Sequence, residues 1–94
     1  GEDMAGSNIT AKRLAATGAV FAGPIRLYGC VCLPAANAGT VVFDDAGTNL
    51  LTLDTPAGLD SGQVWISFPG EGIRFSTNCN ATLTNVTAVT SFWG

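Results

Sequence analysis

Apolar and polar residues alternate with a period of two along most of the chain, which is typical of β-strands that bury one face. The clearest run is 25–33, where apolar residues alternate with arginine, tyrosine and cysteine. Gly29 lies in the middle of this run, and a glycine inside a strand often marks a β-bulge or a close neighbour. We therefore predict a strand over 25–33 with an irregularity near Gly29.

Shorter runs of the same kind predict further strands near 40–44, 50–54, 63–68, 72–76, 81–84 and 88–93. Turn-forming residues separate these runs. Asp45-Ala46-Gly47 predicts a hairpin turn, and Pro69-Gly70-Glu71-Gly72 predicts a second tight turn. About seven or eight short strands at spacings of about 8–12 residues indicate an all-β domain. The fold class predicted from this pattern is a single-domain all-β sandwich or a jelly roll.

The N-terminal 22 residues have a weaker pattern. Residues 1–8 are small and polar, and the segment 10–16 could begin a helix. Thr17-Gly18 interrupts the helical period, so an extended conformation is favoured up to Phe21. We therefore divide the chain into a partly extended N-terminal arm, 1–22, which is free to contact neighbouring molecules, and a β-sandwich domain, 23–94.

The composition is poor in charge. Of the 94 residues, 47% are apolar and only 12% are charged, against about 25% charged in an average globular domain. A domain of this size has a thin margin of stability, and so few charges solvate its exterior weakly. We expect other subunits to cover part of the apolar surface, as in an obligate oligomer or an assembly component. The alternative is a monomer with an uncharged surface rich in Thr, Asn and Ser.

The charge distribution bears on possible partners. The net charge is -3, and only Lys12 and Arg13 of the four basic residues are adjacent. Nucleic-acid binding requires a cluster of basic residues that neutralises phosphates, so no nucleic-acid partner is expected. Membrane insertion is not expected either, because no apolar run approaches about 20 residues.

The sequence also gives little support to catalysis or to a cofactor. It contains no histidine, so the serine and cysteine side chains lack the usual base for nucleophilic catalysis. The carboxylates lie mostly at predicted turns, with no facing pair for glycoside hydrolysis. Asp44-Asp45-x-Gly47-x-Asn49 loosely resembles a calcium loop but lacks the bidentate Glu at its end, so a turn is favoured. We expect a protein that is not an enzyme.

Three cysteines occur, at positions 30, 32 and 79. Cys30 and Cys32 are two residues apart and share one strand face, where a disulfide between them is geometrically poor. A bridge from Cys79 to either one would leave an odd thiol, and zinc would require four ligands. Free, partly buried thiols in a reducing cytoplasm are favoured, and one disulfide is the alternative.

Several large or charged side chains are candidates for contact with another molecule. Trp65, Phe92 and Trp93 suit an interface centre, where aromatic residues are enriched. Stacking on sugars would use the same rings, and core packing is a third possible fate. Glu71 and Arg74 could pair across the tight turn at a subunit interface, or Arg74 could cover apolar surface with its stem while facing solvent.

Five segments resemble, in order and spacing, small virion structural proteins of tailed bacteriophages: GPIRLYG (23–29), AGTVVFDDAG (38–47), LLTLDTPA (50–57), FPGEGIRFST (68–77) and ATLTNVTAVTSFWG (81–94). The resemblance is notably to capsid decoration proteins, also called cement or head-stabilising proteins, and covers about residues 11–94. Its most specific parts are the G-x-G-I-R-F turn and strand and the T-L-T-N-V-T-x-V-T ending. The three cysteines depart from the pattern.

This resemblance implies a jelly-roll-like fold, assembly into homotrimers, and attachment to the outer surface of the phage head in contact with the major capsid protein. It implies no catalytic residue. It also implies a protein made in the cytoplasm of the bacterial host and located in the virion. On this hypothesis the arm ties neighbouring capsomers together, and we expect the subunit or capsid interface to include Ile9, Lys12, Arg13, Leu14, Glu71, Arg74, Phe92 and Trp93.

A second function class is compatible with the same residues. A receptor- or glycan-binding β-module of a phage tail or fibre would expose Trp65, Tyr28 or Trp93 as a stacking platform. Similar small β-modules occur in tails and fibres as well as in heads, so the resemblance is less specific for the role than for the family.

Overall fold

The computed structural model describes residues 9–58 and 62–94, which form nine β-strands and no helix. The strands are β1 (Thr10–Leu14), β2 (Gly18–Phe21), β3 (Ile25–Pro34), β4 (Gly39–Asp45), β5 (Thr48–Thr55), β6 (Val64–Ser67), β7 (Ile73–Phe75), β8 (Cys79–Thr84) and β9 (Val86–Trp93). Sheet A has the order β1-β9-β3-β6, with β7 also paired to β3, and sheet B has the order β2-β8-β4-β5. Every pairing is antiparallel.

The strand order is that of a jelly roll. Both β6 and β7 pair with β3, β7 along 25–27 and β6 along 29–32, so the two share one position in sheet A. Counted in this way, the described part of the chain has eight strand positions divided between two packed sheets, as in a jelly roll. The prediction of an all-β, jelly-roll-like sandwich is confirmed, with nine strands in the described residues where about seven or eight were expected.

The segment expected to form an arm contributes one strand to each sheet. β1 lies at the edge of sheet A beside β9, and β2 lies at the edge of sheet B beside β8. These strands are extended, as expected, but Val20 of β2 belongs to the buried core. The sandwich therefore includes residues before the boundary drawn at 22. Residues 1–8 of the expected arm lie outside the described part of the chain.

The core fills the space between the two sheets. Its buried members are Val20, Ile25, Leu27, Cys30, Cys32, Val41, Phe43, Phe75, Cys79, Ala81 and Val89. Strands β3, β4 and β8 therefore direct alternate side chains inwards, as a period of two requires when one face of each sheet is buried. Partly buried side chains such as Leu53 and Trp93 extend this core towards its margins.

Gly29 forms a β-bulge that reverses the faces of β3. The pairing of β3 with β9 shifts register at this point. Ile25 and Leu27 face the core before the bulge, and Cys30 and Cys32 face it afterwards, because one extra residue exchanges the two faces of a strand. A Cβ at Gly29 would lie 2.7 Å from a carbonyl oxygen of β6. The irregularity predicted at Gly29 is confirmed.

The predicted hairpin turn between β4 and β5 is also confirmed. Ala46 and Gly47 have φ values of 50° and 91°, and consecutive positive φ angles match the twist of a tight β-hairpin. The Asp44 carboxylate accepts a hydrogen bond from the Gly47 N–H at 2.9 Å. Asp44 and Gly47 thus serve a turn, the use favoured over a calcium loop. No group of three or more His, Cys, Asp and Glu residues suited to a metal occurs within 9–58 and 62–94.

Asp45 fastens this turn to the connection between β7 and β8. Its carboxylate accepts hydrogen bonds from the Ser76 N–H and hydroxyl at 2.9 and 3.0 Å. It also accepts from the N–H groups of Thr77 and Asn78 at 3.0 and 3.2 Å. Hydrogen bonds to the ionised form, led by that of the Ser76 backbone, lower the pKa of Asp45. These contacts join residues more than 30 positions apart in the chain.

Among the residues that the structure covers, no helix has the length and apolar character needed to cross a membrane.

Candidate functional site

The outer face of sheet A, which points away from the core, is the candidate functional site. On β3 and β9, the residues next to the core-facing ones point outward, because successive side chains of a strand point to opposite faces. Pairing with these strands then fixes the outward residues of β1, β6 and β7. The side chains of this outer face are Ala11, Arg13, Arg26, Tyr28, Val31, Leu33, Trp65, Ser67, Arg74, Ala88, Thr90 and Phe92.

A stacked aromatic pair occupies the middle of the outer face. The rings of Trp65 and Phe92 lie 6.4 Å apart at an interplanar angle of 11°. Their strands, β6 and β9, flank β3 on opposite sides, so the two rings meet across β3. Val31, directly opposite Trp65, is only 5% exposed, whereas Trp65 is 71% exposed. Apolar surface is thus built on the side of the sheet that does not face the core.

A basic depression lies on the same face near the end of β9. Arg26 and Arg74 are opposite each other in the β3–β7 pair, where like charges repel. The depression has a volume of about 350 Å³. It is lined by Pro24, Ile25, Arg26, Tyr28, Arg74, Phe75 and Gly94. Its two guanidinium groups can bind a carboxylate or another oxyanion.

Glu71 lies beside this depression. Its carboxylate is 3.8 Å from Nη2 of Arg26, and its side chain is 86% exposed. The pairing of Glu71 with Arg74 considered from the sequence is therefore wrong, because the turn directs Glu71 towards β3. At this distance and exposure the ion pair contributes little, so it leaves most of the positive charge of the depression uncompensated.

The structure brings three of the predicted interface residues to the outer face. Arg13 on β1, Arg74 on β7 and Phe92 on β9 all point away from the core. Arg13 lies opposite Thr90, which is two residues before Phe92 on β9. These residues are far apart in the sequence, and the order of the strands in sheet A places them on a single surface.

The remaining predicted interface residues lie elsewhere. Leu14 and Trp93 pack against the core, and the Trp93 ring lies 4.5 Å from the ring of Phe21. Lys12 faces the open edge of the sandwich, opposite the core-facing Ser91. The other two predicted interface residues are exposed. Ile9 precedes β1, and Glu71 lies in the turn before β7.

Arg26 is the main residue of the outer face that was absent from the predicted interface. The sequence did indicate that Arg26 is exposed, because it alternates with Ile25 and Leu27 in the clearest period-two pattern of the chain. Such a pattern places Arg26 on the exposed side of its strand. Its position opposite Arg74 depends on the pairing of β3 with β7, which no local pattern specifies.

The cysteines lie in the core and take no part in the outer face. All three are free and buried. Burial, with the nearby charges of Asp44 and Asp45, raises the pKa of Cys79 to about 12. A hydrogen bond with Cys32, together with burial, raises the pKa of Cys30. The hydrogen bond from Cys30 in turn lowers the pKa of Cys32. Cys30 and Cys79 are protonated at neutral pH, and all three side chains pack in the core.

The outer face of sheet A offers aromatic, aliphatic and guanidinium groups, which together suit contact with a protein surface or with a planar or anionic ligand. No protein-family model, curated protein or solved structure matches the chain.

Proposed function

We propose that the chain is a non-enzymatic structural protein of a tailed-phage virion. In this proposal it is a capsid decoration protein that binds the outer surface of the head as a homotrimer and stabilises the capsid lattice. The observation that carries the proposal is the outer face of sheet A, where Trp65 stays 71% exposed beside Phe92. Large exposed apolar groups in a chain with few charges favour burial against another protein. The resemblance of segments in 11–94 to decoration proteins supports the virion role.

The edge of sheet A provides a second surface for contact. Among the strands in 9–58 and 62–94, β1 pairs only with β9, and an edge strand offers its unpaired N–H and C=O groups to another chain. Four of its five residues, 10–13, are exposed. We assign this edge, with the residues that precede it, to contact with the major capsid protein across joints of the lattice.

The proposed mechanism is mechanical. A protein that binds the assembled shell and not its separated subunits shifts the equilibrium towards the shell by mass action. Many copies, each making a modest contact, add up to resistance against the pressure of packaged DNA. No bond is made or broken, so the residues that matter are those that supply contact area and complementary charge.

Heads prepared with and without the protein test this proposal. We expect heads that lack the protein to rupture at lower temperature and at low salt, and re-addition of the purified protein to restore them. A variant without residues 1–16 should bind assembled heads more weakly, because it lacks β1. Equal stability of the two kinds of heads would count against a cement role.

A glycan-binding module of a tail or fibre is the second candidate, and the exposure of Trp65 favours it. Aromatic rings on a flat sheet face stack on sugars as readily as they pack on a protein. Copy number separates the two roles, with hundreds per particle for a decoration protein and a few to a few dozen for a fibre module. Trp65→Ala would abolish binding to a glycan array in the second case, whereas Leu50→Ala, which alters an exposed apolar residue of sheet B, would not.

A further inference from the structure

The described charges are segregated between the two sheets. All four basic residues belong to strands of sheet A, namely Lys12 and Arg13 on β1, Arg26 on β3 and Arg74 on β7. The described aspartates, Asp44, Asp45 and Asp54, belong to β4 and β5 of sheet B. Glu71 is the exception, and it is paired with Arg26. In its described part the molecule therefore has a basic sheet and an acidic sheet.

The outer face of sheet B is a regular array of small polar side chains. Thr40 lies between Asp54 and Thr84, and Val42 lies between Thr52 and Thr82 in the next row. Methyl groups of Thr and Val make such a face partly apolar, and it carries no large side chain at its centre. The surface suits contact with a protruding aromatic group such as Trp65 of sheet A.

Asp54 is the carboxylate of sheet B that is available for an external contact. Asp44 and Asp45 accept hydrogen bonds from their own turn and from the connection at 76–78. Asp54 is exposed, and its carboxylate has no hydrogen bond or ion pair with any residue in 9–58 or 62–94. Within the same part of the chain, Arg74 on sheet A also has no ion-pair partner.

We infer that copies of this chain associate face to back, with the outer face of sheet A of one copy against the outer face of sheet B of the next. In this contact Arg74 lies beside Asp54 of the second copy, and Trp65 packs on its threonine array. A contact between two different faces can be repeated from copy to copy, and it closes into a ring only where the rotation between copies allows it. The inference names the surfaces used in the self-association of the proposed function and rests on the proposal that the chain assembles with itself.

Charge argues for this arrangement over two-fold packing of like faces. Two outer faces of sheet A brought together would place the unpaired Arg74 of each copy, with Arg26 beside it, near the same two residues of the other. Like charges opposed across an interface disfavour association. The face-to-back contact instead places basic groups opposite acidic ones and covers the exposed aromatic pair.

Charge reversal at the two positions tests the inference. Sedimentation equilibrium would measure self-association of wild type, Arg74→Glu, Asp54→Arg and the chain that carries both substitutions. We expect each single reversal to weaken association by about tenfold or more, since it opposes like charges. The double variant should return to within about threefold of wild type, because it restores an opposite-charge pair in every contact. Lys12→Glu makes the same change of charge on sheet A but away from its outer face, and should associate as wild type does.

The neutral variants Arg74→Gln and Asp54→Asn keep the test decisive if a reversal fails to fold. Each should weaken association measurably. Added salt should weaken the association of wild type more than that of either variant. If Asp54 variants associate as wild type does while Arg74 variants do not, the face-to-back contact is wrong and the proposed trimer must use other surfaces. A wild type that is monomeric at all concentrations would overturn both. Association that follows these expectations without any binding to heads would overturn only the proposed function.

Discussion

Ser91 places a hydroxyl in the core where an apolar group would suffice. Its side chain is fully buried on β9, and Oγ has no hydrogen-bond partner within the described residues. A buried polar group without a partner loses its hydration without compensation. We expect Ser91→Ala to raise the free energy of unfolding by about 1 kcal/mol, measured by urea denaturation.

The exposed Ser67 on β6 provides the control for this substitution. Ser67→Ala should change stability by less than about 0.5 kcal/mol, as surface changes usually do. Destabilisation by Ser91→Ala would contradict the account, because it would mean that the hydroxyl has a partner in solution.

The three cysteines give a test of core packing. Cys30, Cys32 and Cys79 are buried, and the pKa values of Cys30 and Cys79 are raised. Thiolates are the reactive species, so both burial and protonation protect Cys30 and Cys79 from reaction. We expect iodoacetamide to leave the native protein unmodified over minutes and to modify three thiols in denaturant, with mass spectrometry as the readout. Native modification at the rate of a small free thiol would contradict the buried placement.

Asp45 links stability to pH. Its pKa lies below the ordinary value of 3.8 because backbone N–H groups, first that of Ser76, stabilise the carboxylate. A carboxyl group whose pKa is lower in the folded state contributes stability above its unfolded pKa and loses it as pH falls through the folded pKa. The contribution is therefore complete at neutral pH and is lost below about pH 4.

We expect Asp45→Asn to lower stability at pH 7 and to flatten the loss of stability below about pH 4, as measured by urea unfolding from pH 7 to pH 2.5. Asp54→Asn, studied in dilute protein, is the control, because the carboxylate of Asp54 accepts no hydrogen bond from the described residues. An Asp45→Asn profile parallel to that of wild type across this range would show that Asp45 does not hold the connection at 76–78.

At the scale of single elements, the bulge at Gly29 has the largest consequences. It turns Cys30 and Cys32 inwards and leaves Val31 beneath the Trp65–Phe92 pair. An added Cβ would lie 2.7 Å from a carbonyl oxygen of β6, so the backbone of β3 or β6 must move to make room. We expect Gly29→Ala to destabilise the protein by about 1–3 kcal/mol, the usual range for overpacking.

Gly18 on β2 is a matched control for Gly29→Ala. A Cβ there would lie 3.7 Å from a side-chain atom of Leu14, which is an ordinary contact. Gly18→Ala should be neutral or stabilising by up to about 1 kcal/mol, because it restricts the unfolded chain. Equal effects of the two substitutions on the urea midpoint would contradict the role assigned to the bulge. Near-ultraviolet circular dichroism should report the disturbed aromatic pair in Gly29→Ala only.

The sequence was informative about the elements wherever the signal was local. Alternation located β3 to β9 to within about two residues, and Asp45-Ala46-Gly47 specified its hairpin turn. β1 and β2 were expected only to be extended, because their partners, β9 and β8, lie about 60 or more residues away. Pairing at such a separation leaves no local pattern, and so the two strands were assigned to an arm.

The same limit applied to the candidate site. Trp65, Arg74 and Phe92 were recognisable as contact candidates from residue type alone. Their shared face could not be predicted, since it depends on which strands are neighbours and on where the bulge exchanges faces. The Arg26–Glu71 contact was missed for this reason, because the turn before β7 approaches β3 only in the folded sheet.

At the scale of the whole molecule, the jelly roll separates two surfaces of different character. Sheet A carries the basic and aromatic residues of the outer face, and sheet B carries threonines and aspartates. A monomer gains nothing from this segregation. Copies arranged face to back use both surfaces, and the contact leaves their β1 edges available for the capsid.

Electron cryomicroscopy of the particle that carries this chain tests the proposed role most directly. The account predicts threefold-symmetric density on the outer surface of the head, into which three copies of the jelly roll fit. The β1 edge should lie closest to the capsid protein. Density for the chain on the tail or fibres, with none on the head, would contradict it.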